Sequence, residues 1–109
     1  MIKVFISQPM NGKSDEDILN ERNRISEYIR KSFKDEDVEI LDSYFEDFDD
    51  TPLTGANVAL KYLAKSIDIL ACADLLVLAN GWKETRGCVI EEKCARLYGI
   101  DVVEMEEMK

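Results

Sequence analysis

Four short apolar runs separated by segments of helical period constrain this chain more than any other feature. "IKVFI" (residues 2–6), "DVEIL" (37–41), "ADLLVLA" (73–79) and "IDVVEM" (100–105) are rich in β-branched and aliphatic residues, as buried strands are. Between the first two, Ile18, Ile25, Ile29 and Phe33 recur at helical spacing over residues 15–34, with Ser14 placed to cap the helix and Asp15, Glu16 and Asp17 suited to its N-terminus. Leu60, Leu63, Ile67, Leu70 and Ala71 mark a second amphipathic helix over 58–72, and residues 87–98 read as a third. This order, with short connections, predicts an α/β fold. It is a small Rossmann-like or flavodoxin-like three-layer sandwich with a mostly parallel sheet of about four strands.

In such sheets ligands bind beyond the carboxyl ends of the strands, where the strand order reverses. Those ends carry "SQPMNG", "DSYF" and "NGWKETRG". Ser7, Gln8, Pro9, Met10, Asn11 and Gly12 make a first loop with hydroxyl, amide and backbone donors for a phosphate or a sugar. Neither GxxxxGK[ST] nor GxGxxG follows the first strand, which argues against an ATPase or a dinucleotide dehydrogenase. Asn80, Gly81, Trp82, Lys83, Arg86 and Gly87 lie on the turn that leads into the third helix. The free N–H groups of that helix, with Lys83 and Arg86, would receive an anion, and Trp82 either stacks on a heterocycle or packs against its own domain. The polar, acidic and aromatic stretch "DSYFEDFDDTPLTGAN" (42–57) is long enough to serve as a lid, and residues 42–51 could alternatively contact a protein.

The chain has 109 residues and suits one domain, 1–109, with its site on the rim of a single core or between copies. A net charge of −9 argues against a nucleic-acid polymer or an anionic membrane surface as partner. No apolar run reaches the roughly 18 residues of a membrane span. Cys72, Cys88 and Cys94 form no CxxC pair and fit free thiols in a reducing compartment; with no charged-then-apolar leader, a cytoplasmic location is expected. Histidine is absent, so acid and base chemistry falls to carboxylates, Tyr, Lys or Cys.

Within "TRGCVIEEKCARLYG" (85–99) the two adjacent glutamates are not equivalent. At 100° per residue, Ile90, Cys94, Ala95, Leu97 and Tyr98 cluster in one direction, expected to face the sheet, with Glu91 about 50° from its centre and Glu92 about 150° away. Glu92 lies four residues before Arg96, as in an exposed ion pair. Glu91 sits at the inner edge, where desolvation raises a carboxyl pKa and the helix N-terminus favours the anion. It is either a functional group or a hydrogen-bonded tie between the helix and a neighbouring loop.

"VFISQPMNG", "ADLLVLANGW" and "RGCVIEEKCARLYG", in order and spacing, resemble the nucleoside 2-deoxyribosyltransferase-like superfamily, closest to its short, often phage-encoded branch of uncharacterised proteins. The resemblance implies cleavage of the N-glycosidic bond of 2'-deoxynucleosides or their 5'-monophosphates, and homo-oligomers. It implies no metal and no organic cofactor. The superfamily's nucleophilic Glu lies four residues after a Gly and four before a small residue; Gly87, Glu91 and Ala95 match, so Glu91 inherits that role. Ser66 occupies the position of the superfamily's second carboxylate, eight residues before Asp74, and belongs to the implied substrate-binding set. Asp68 is rotated from Ser66 by about 200°. The aromatic hydroxyl of many members is replaced in the first strand by Val4 or Phe5. These departures leave a second expectation open, a non-catalytic protein of phage type that binds or sequesters a nucleotide or an ADP-ribose derivative.

Overall fold

The computed structural model describes residues 1–10, 12–34, 36–41 and 58–105. Four strands alternate with three helices: β1 (Ile2–Ser7), α1 (Asp15–Ser32), β2 (Val38–Ile40), α2 (Val58–Leu70), β3 (Leu75–Leu78), α3 (Arg86–Leu97) and β4 (Asp101–Glu104). A single 3-10 turn, Trp82–Glu84, precedes α3. All pairings in the four-stranded sheet are parallel, and the order is β2-β1-β3-β4. The α/β sandwich expected from the sequence is therefore present; β1 runs one residue past its apolar run to Ser7, whereas β2, β3 and β4 are one or two residues shorter at their ends than theirs. The Asn11 contact, the lid or protein-contact role of 42–57 and the start of the "DSYF" loop fall outside the described residues.

Alternation along β1 assigns its side chains to two layers. Val4 and Ile6 join Ile25 and Ile29 of α1, together with Leu75 and Val77 of β3, in one buried cluster. Phe5 joins Leu70, Leu76, Leu78 and Ala95 in the other, under α2 and α3. Ile29 is fully buried, and truncation to alanine there removes packing worth about 2–5 kcal/mol. Ser14 caps α1 by accepting from the Asp17 N–H at 3.1 Å, and three acidic residues fill the first turn. One charged residue shares the buried face of α1: the Arg22 guanidinium donates to the Leu41 carbonyl at the end of β2. At the start of the β1–β3 ladder the Lys3 N–H donates to Asp74 Oδ2 at 2.9 Å and the Asp74 N–H donates to the Lys3 carbonyl at 2.8 Å.

The sequence-based orientation of α3 requires correction. Cys88, Glu91 and Ala95 are its buried residues, whereas Ile90 is 40% exposed, Leu97 71% and Tyr98 84%. The helix is rotated so that the small Ala95 and Cys88 approach the sheet and the large aliphatic groups point away. Cys94 remains half-buried against the second cluster. Glu91 consequently lies near the middle of the inner face, not at its edge. Leu60, at 60% exposure, and Ala71, also exposed, likewise stand off the packed face of α2. Among the described residues no helix is long and apolar enough to cross a membrane.

Candidate functional site at the carboxyl edge of the sheet

The chain runs from β1 to β2 on one side of the sheet and returns from α2 to β3 on the other, so the strand order reverses between β1 and β3. Ser7 pairs with Leu78 at the carboxyl ends of these strands, and the Ala79 N–H continues the ladder by donating to the Ser7 carbonyl at 2.9 Å. The loops that leave the two strands start side by side here. Gly81 has φ +85°, open to glycine and strained for other residues, and a Cβ placed on it would touch Pro9 Cγ at 3.7 Å. Thus Pro9 and Gly81 bring the first and third loops into contact.

Into this edge α3 delivers a carboxyl group. Ser7 Oγ donates to Glu91 Oε1 at 2.6 Å, and both residues are buried, at 2% and 7% exposure. Burial pushes the Glu91 carboxyl up to about 7, and the Ser7 hydroxyl, by donating to the ionised form, opposes that rise. A carboxyl of this kind exchanges its proton near neutrality, in a chain without histidine. Cys88 is buried one turn earlier. Burial pushes its thiol up to about 11; the Ser7 hydroxyl and Lys13 oppose the rise, while the charges of Glu91 and Glu21 add to it. At neutral pH it is therefore a protonated, buried thiol.

Gln8 follows Ser7 and turns to the opposite layer. Its Nε2 donates to the Ile18 carbonyl at 3.2 Å and to Glu21 Oε1 at 3.0 Å, and Lys13 Nζ lies 3.5 Å from the same carboxylate oxygen. Glu21 was not singled out by the sequence reading. Its signal was present: at 100° per residue it lies about 70° from the centre of the Ile18, Arg22, Ile25, Ile29 face, a position like the one that drew attention to Glu91.

The remaining sequence-derived residues are distributed unevenly. Met10 and Pro9 are half-buried and Gly12 is exposed with φ +77°. Asn80 and Arg86 are exposed at either end of the loop between β3 and α3. Gly87 lies against α2, where an added Cβ would reach Leu63 Cδ1 only at 4.0 Å. Ser66 is half-buried on α2, and Asp68 is exposed. Trp82 packs on the second cluster, its indole N–H donates to Glu104 Oε1 of β4 at 2.8 Å, and Lys83 Nζ sits 5.8 Å from its ring centre. Glu92 pairs with Arg96 as its spacing predicts, but the rotation of α3 leaves Glu92 half-buried and not on the exposed face that its spacing implied.

The first turn of α3 contains no acidic residue, and its N-cap, Thr85, makes no side-chain capping bond. This contrasts with the capped, acidic start of α1. Among the described residues no group of three Cys, Asp or Glu side chains is placed to hold a metal ion. The polar groups gathered at the edge are a carboxyl, a hydroxyl, an amide, a second carboxylate and a thiol.

The family model described as "Domain of unknown function (DUF4406)" matches residues 2–104. No curated protein and no solved structure matches the chain.

Proposed function

The chain belongs to the DUF4406 family, whose model spans every element of the sheet, and we propose that it acts on the N-glycosidic bond of a 2'-deoxynucleoside or its 5'-monophosphate, with Glu91 as the nucleophile. The observation that carries the reading is the buried Ser7–Glu91 hydrogen bond at the point where the strand order reverses. A structural tie would be served as well by an amide. A desolvated carboxyl that ionises near pH 7 is a better nucleophile than an exposed one, since little water must be stripped from it.

In the proposed reaction an ionised Glu91 oxygen bonds to C1' as the C1'–N bond breaks, and that electron pair stays on the base nitrogen, which takes a proton from solvent or an acidic group. The transition state is oxocarbenium-like. Water, giving up a proton, or a second base then attacks C1' and frees the Glu91 carboxylate. Ser7 holds Oε1 throughout, fixing the carboxyl plane. A phosphate on the substrate would lie at the uncapped start of α3, near Arg86. Oligomerisation belongs to the same reading: Leu60, Ile90, Leu97 and Tyr98 leave apolar surface that a second copy would cover, and a monomer in light scattering would remove that part.

One observation favours a second reading. Ser66, half-buried on α2, occupies the position at which the resemblance implies a second carboxylate to assist departure of the base, and Asp68 is exposed on the same helix. A nucleotide or ADP-ribose derivative would then be bound and sequestered, not cleaved. A crystal soaked with a deoxynucleoside 5'-monophosphate separates the readings: the first expects free base or a sugar bonded to Glu91, the second an intact ligand. Density for neither, at saturating ligand, would contradict both.

A further inference from the structure

Ser7 and Gln8 are consecutive residues at the end of β1, and each presents a donor to a carboxylate from a different helix layer. Ser7 takes Glu91 of α3, and Gln8 takes Glu21 of α1. The two carboxylates therefore stand astride one strand end. The Gln8 amide has a fixed orientation, because its two partners, the Ile18 carbonyl and the Glu21 carboxylate, can only accept. Its other end, Oε1, is buried and has no hydrogen-bond partner among the described residues, although Gln8 itself is only 5% exposed. Buried carbonyl oxygens are seldom left without a donor.

We infer that Glu21, positioned by Gln8, forms a second binding subsite at this edge, which accepts hydrogen bonds from a hydroxyl or amino group of the ligand whose glycosidic carbon meets Glu91. The inference rests on the reading of Glu91 given above. Three features support it. Glu21 is half-buried on the inner flank of α1, held by a buried amide and not merely by solvent. Lys13 balances part of its charge from the outside and touches the same oxygen, Oε1, that Gln8 binds. The thiol of Cys88, on α3, senses both Glu91 and Glu21, so the two carboxylates act electrostatically on one small region.

The acceptors here define what the subsite takes. A carboxylate and a carbonyl oxygen attract N–H and O–H groups. The ligand would thus be oriented with its anionic end toward the start of α3 and a donor-bearing edge toward Glu21. Two donors of a deoxynucleotide fit that chemistry, the 3'-hydroxyl of the sugar and an exocyclic amino group of the base.

Glu21→Gln keeps the size of the side chain and an oxygen that accepts from Gln8, but removes the charge. Its affinity is to be measured calorimetrically, beside wild type, for three probes: deoxyadenosine 5'-monophosphate, the 2',3'-dideoxy analogue, and the analogue whose purine lacks the amino group. The expected result is a loss of about tenfold or more for the first probe. That loss shrinks to less than about twofold for whichever analogue lacks the donor Glu21 reads, which also identifies the donor. Equal affinities of variant and wild type for all three, or an equal loss for all three, would overturn the inference and leave the Glu91 reading standing. A wild-type protein that binds none of the probes would overturn both. Should Glu21→Gln fail to fold, Glu21→Asp retains the charge on a shorter arm and is expected to show the same selective loss; a uniform or absent loss there would again overturn it.

Discussion

Ser7 and Glu91, 84 residues apart in the chain, share a 2.6 Å hydrogen bond in a buried position between β1 and α3. The serine hydroxyl is what keeps the carboxyl from being raised further, because it stabilises the charged form against burial. Ser7→Ala is accordingly expected to move the Glu91 pKa above its value of about 7 and to cost about 1–3 kcal/mol of stability. Carboxyl carbon shifts followed by NMR titration would read the first effect. An unchanged or lowered pKa would show that the hydroxyl does not serve the ionised form.

Burial of Glu91 also ties stability to pH in a direction opposite to that of a salt-bridged acid. The folded pKa, about 7, is raised above the ordinary 4.5, so between those values the native state holds the proton more tightly than the unfolded chain. The contribution is fully present below about pH 4.5 and is lost as pH rises through about 7. For a group so deeply buried the full difference is roughly 3 kcal/mol. Glu91→Gln should lack this component, and relative to wild type it should gain stability between pH 5 and pH 8 in denaturant melts. Parallel pH profiles for the two proteins would refute the raised pKa.

The three cysteines should separate by reactivity. Cys72 is exposed, Cys94 half-buried and Cys88 buried, with the Cys88 thiol pushed up to about 11. At pH 8 only about one Cys88 thiol in a thousand would be ionised. Alkylation of the native protein, mapped by mass spectrometry, is expected to label Cys72 first and to leave Cys88 unmodified until the chain unfolds. Early labelling of Cys88 would mean that the edge of the sheet is open around it.

Trp82 links the loop before α3 to the last strand through its N–H bond with Glu104. Trp82→Phe keeps an aromatic group on the second cluster but leaves Glu104 without that donor. A loss of about 1 kcal/mol is expected, visible as a drop of several degrees in Tm. No change in Tm would show that the bond contributes nothing beyond packing.

The strands were legible because parallel strands buried on both faces read as continuous apolar runs, and "LLVL" of β3 is buried at every position. The strand order was not legible, since periodicity reports which side of an element is apolar and not which neighbour covers it. The same limitation misplaced the face of α3. Ile90, Leu97 and Tyr98 dominate a helical wheel by size, whereas the close approach of α3 to the sheet selects the smaller Cys88 and Ala95, with Glu91 between them. Glu91 could be chosen by its place on the inner edge of α3 and by the resemblance, but its partner Ser7 could be found only by folding the chain. Glu21 went unnoticed for the reverse reason: an acidic residue flanking an otherwise well-formed amphipathic stripe looks like ordinary surface until Gln8 is seen to reach it.

The central claim is that Glu91 attacks a glycosidic carbon, and release of free base measures it most directly. Purified protein is to be incubated at pH 8, where Glu91 is mostly ionised, with each of the common deoxynucleosides and their 5'-monophosphates, with and without an added acceptor base, and the products separated by chromatography. The account predicts free base or an exchanged nucleoside from at least one substrate, and a fall of at least about a thousandfold in that rate for Glu91→Gln. Base release that persists in Glu91→Gln, or no release from any substrate by the wild-type protein, would contradict it.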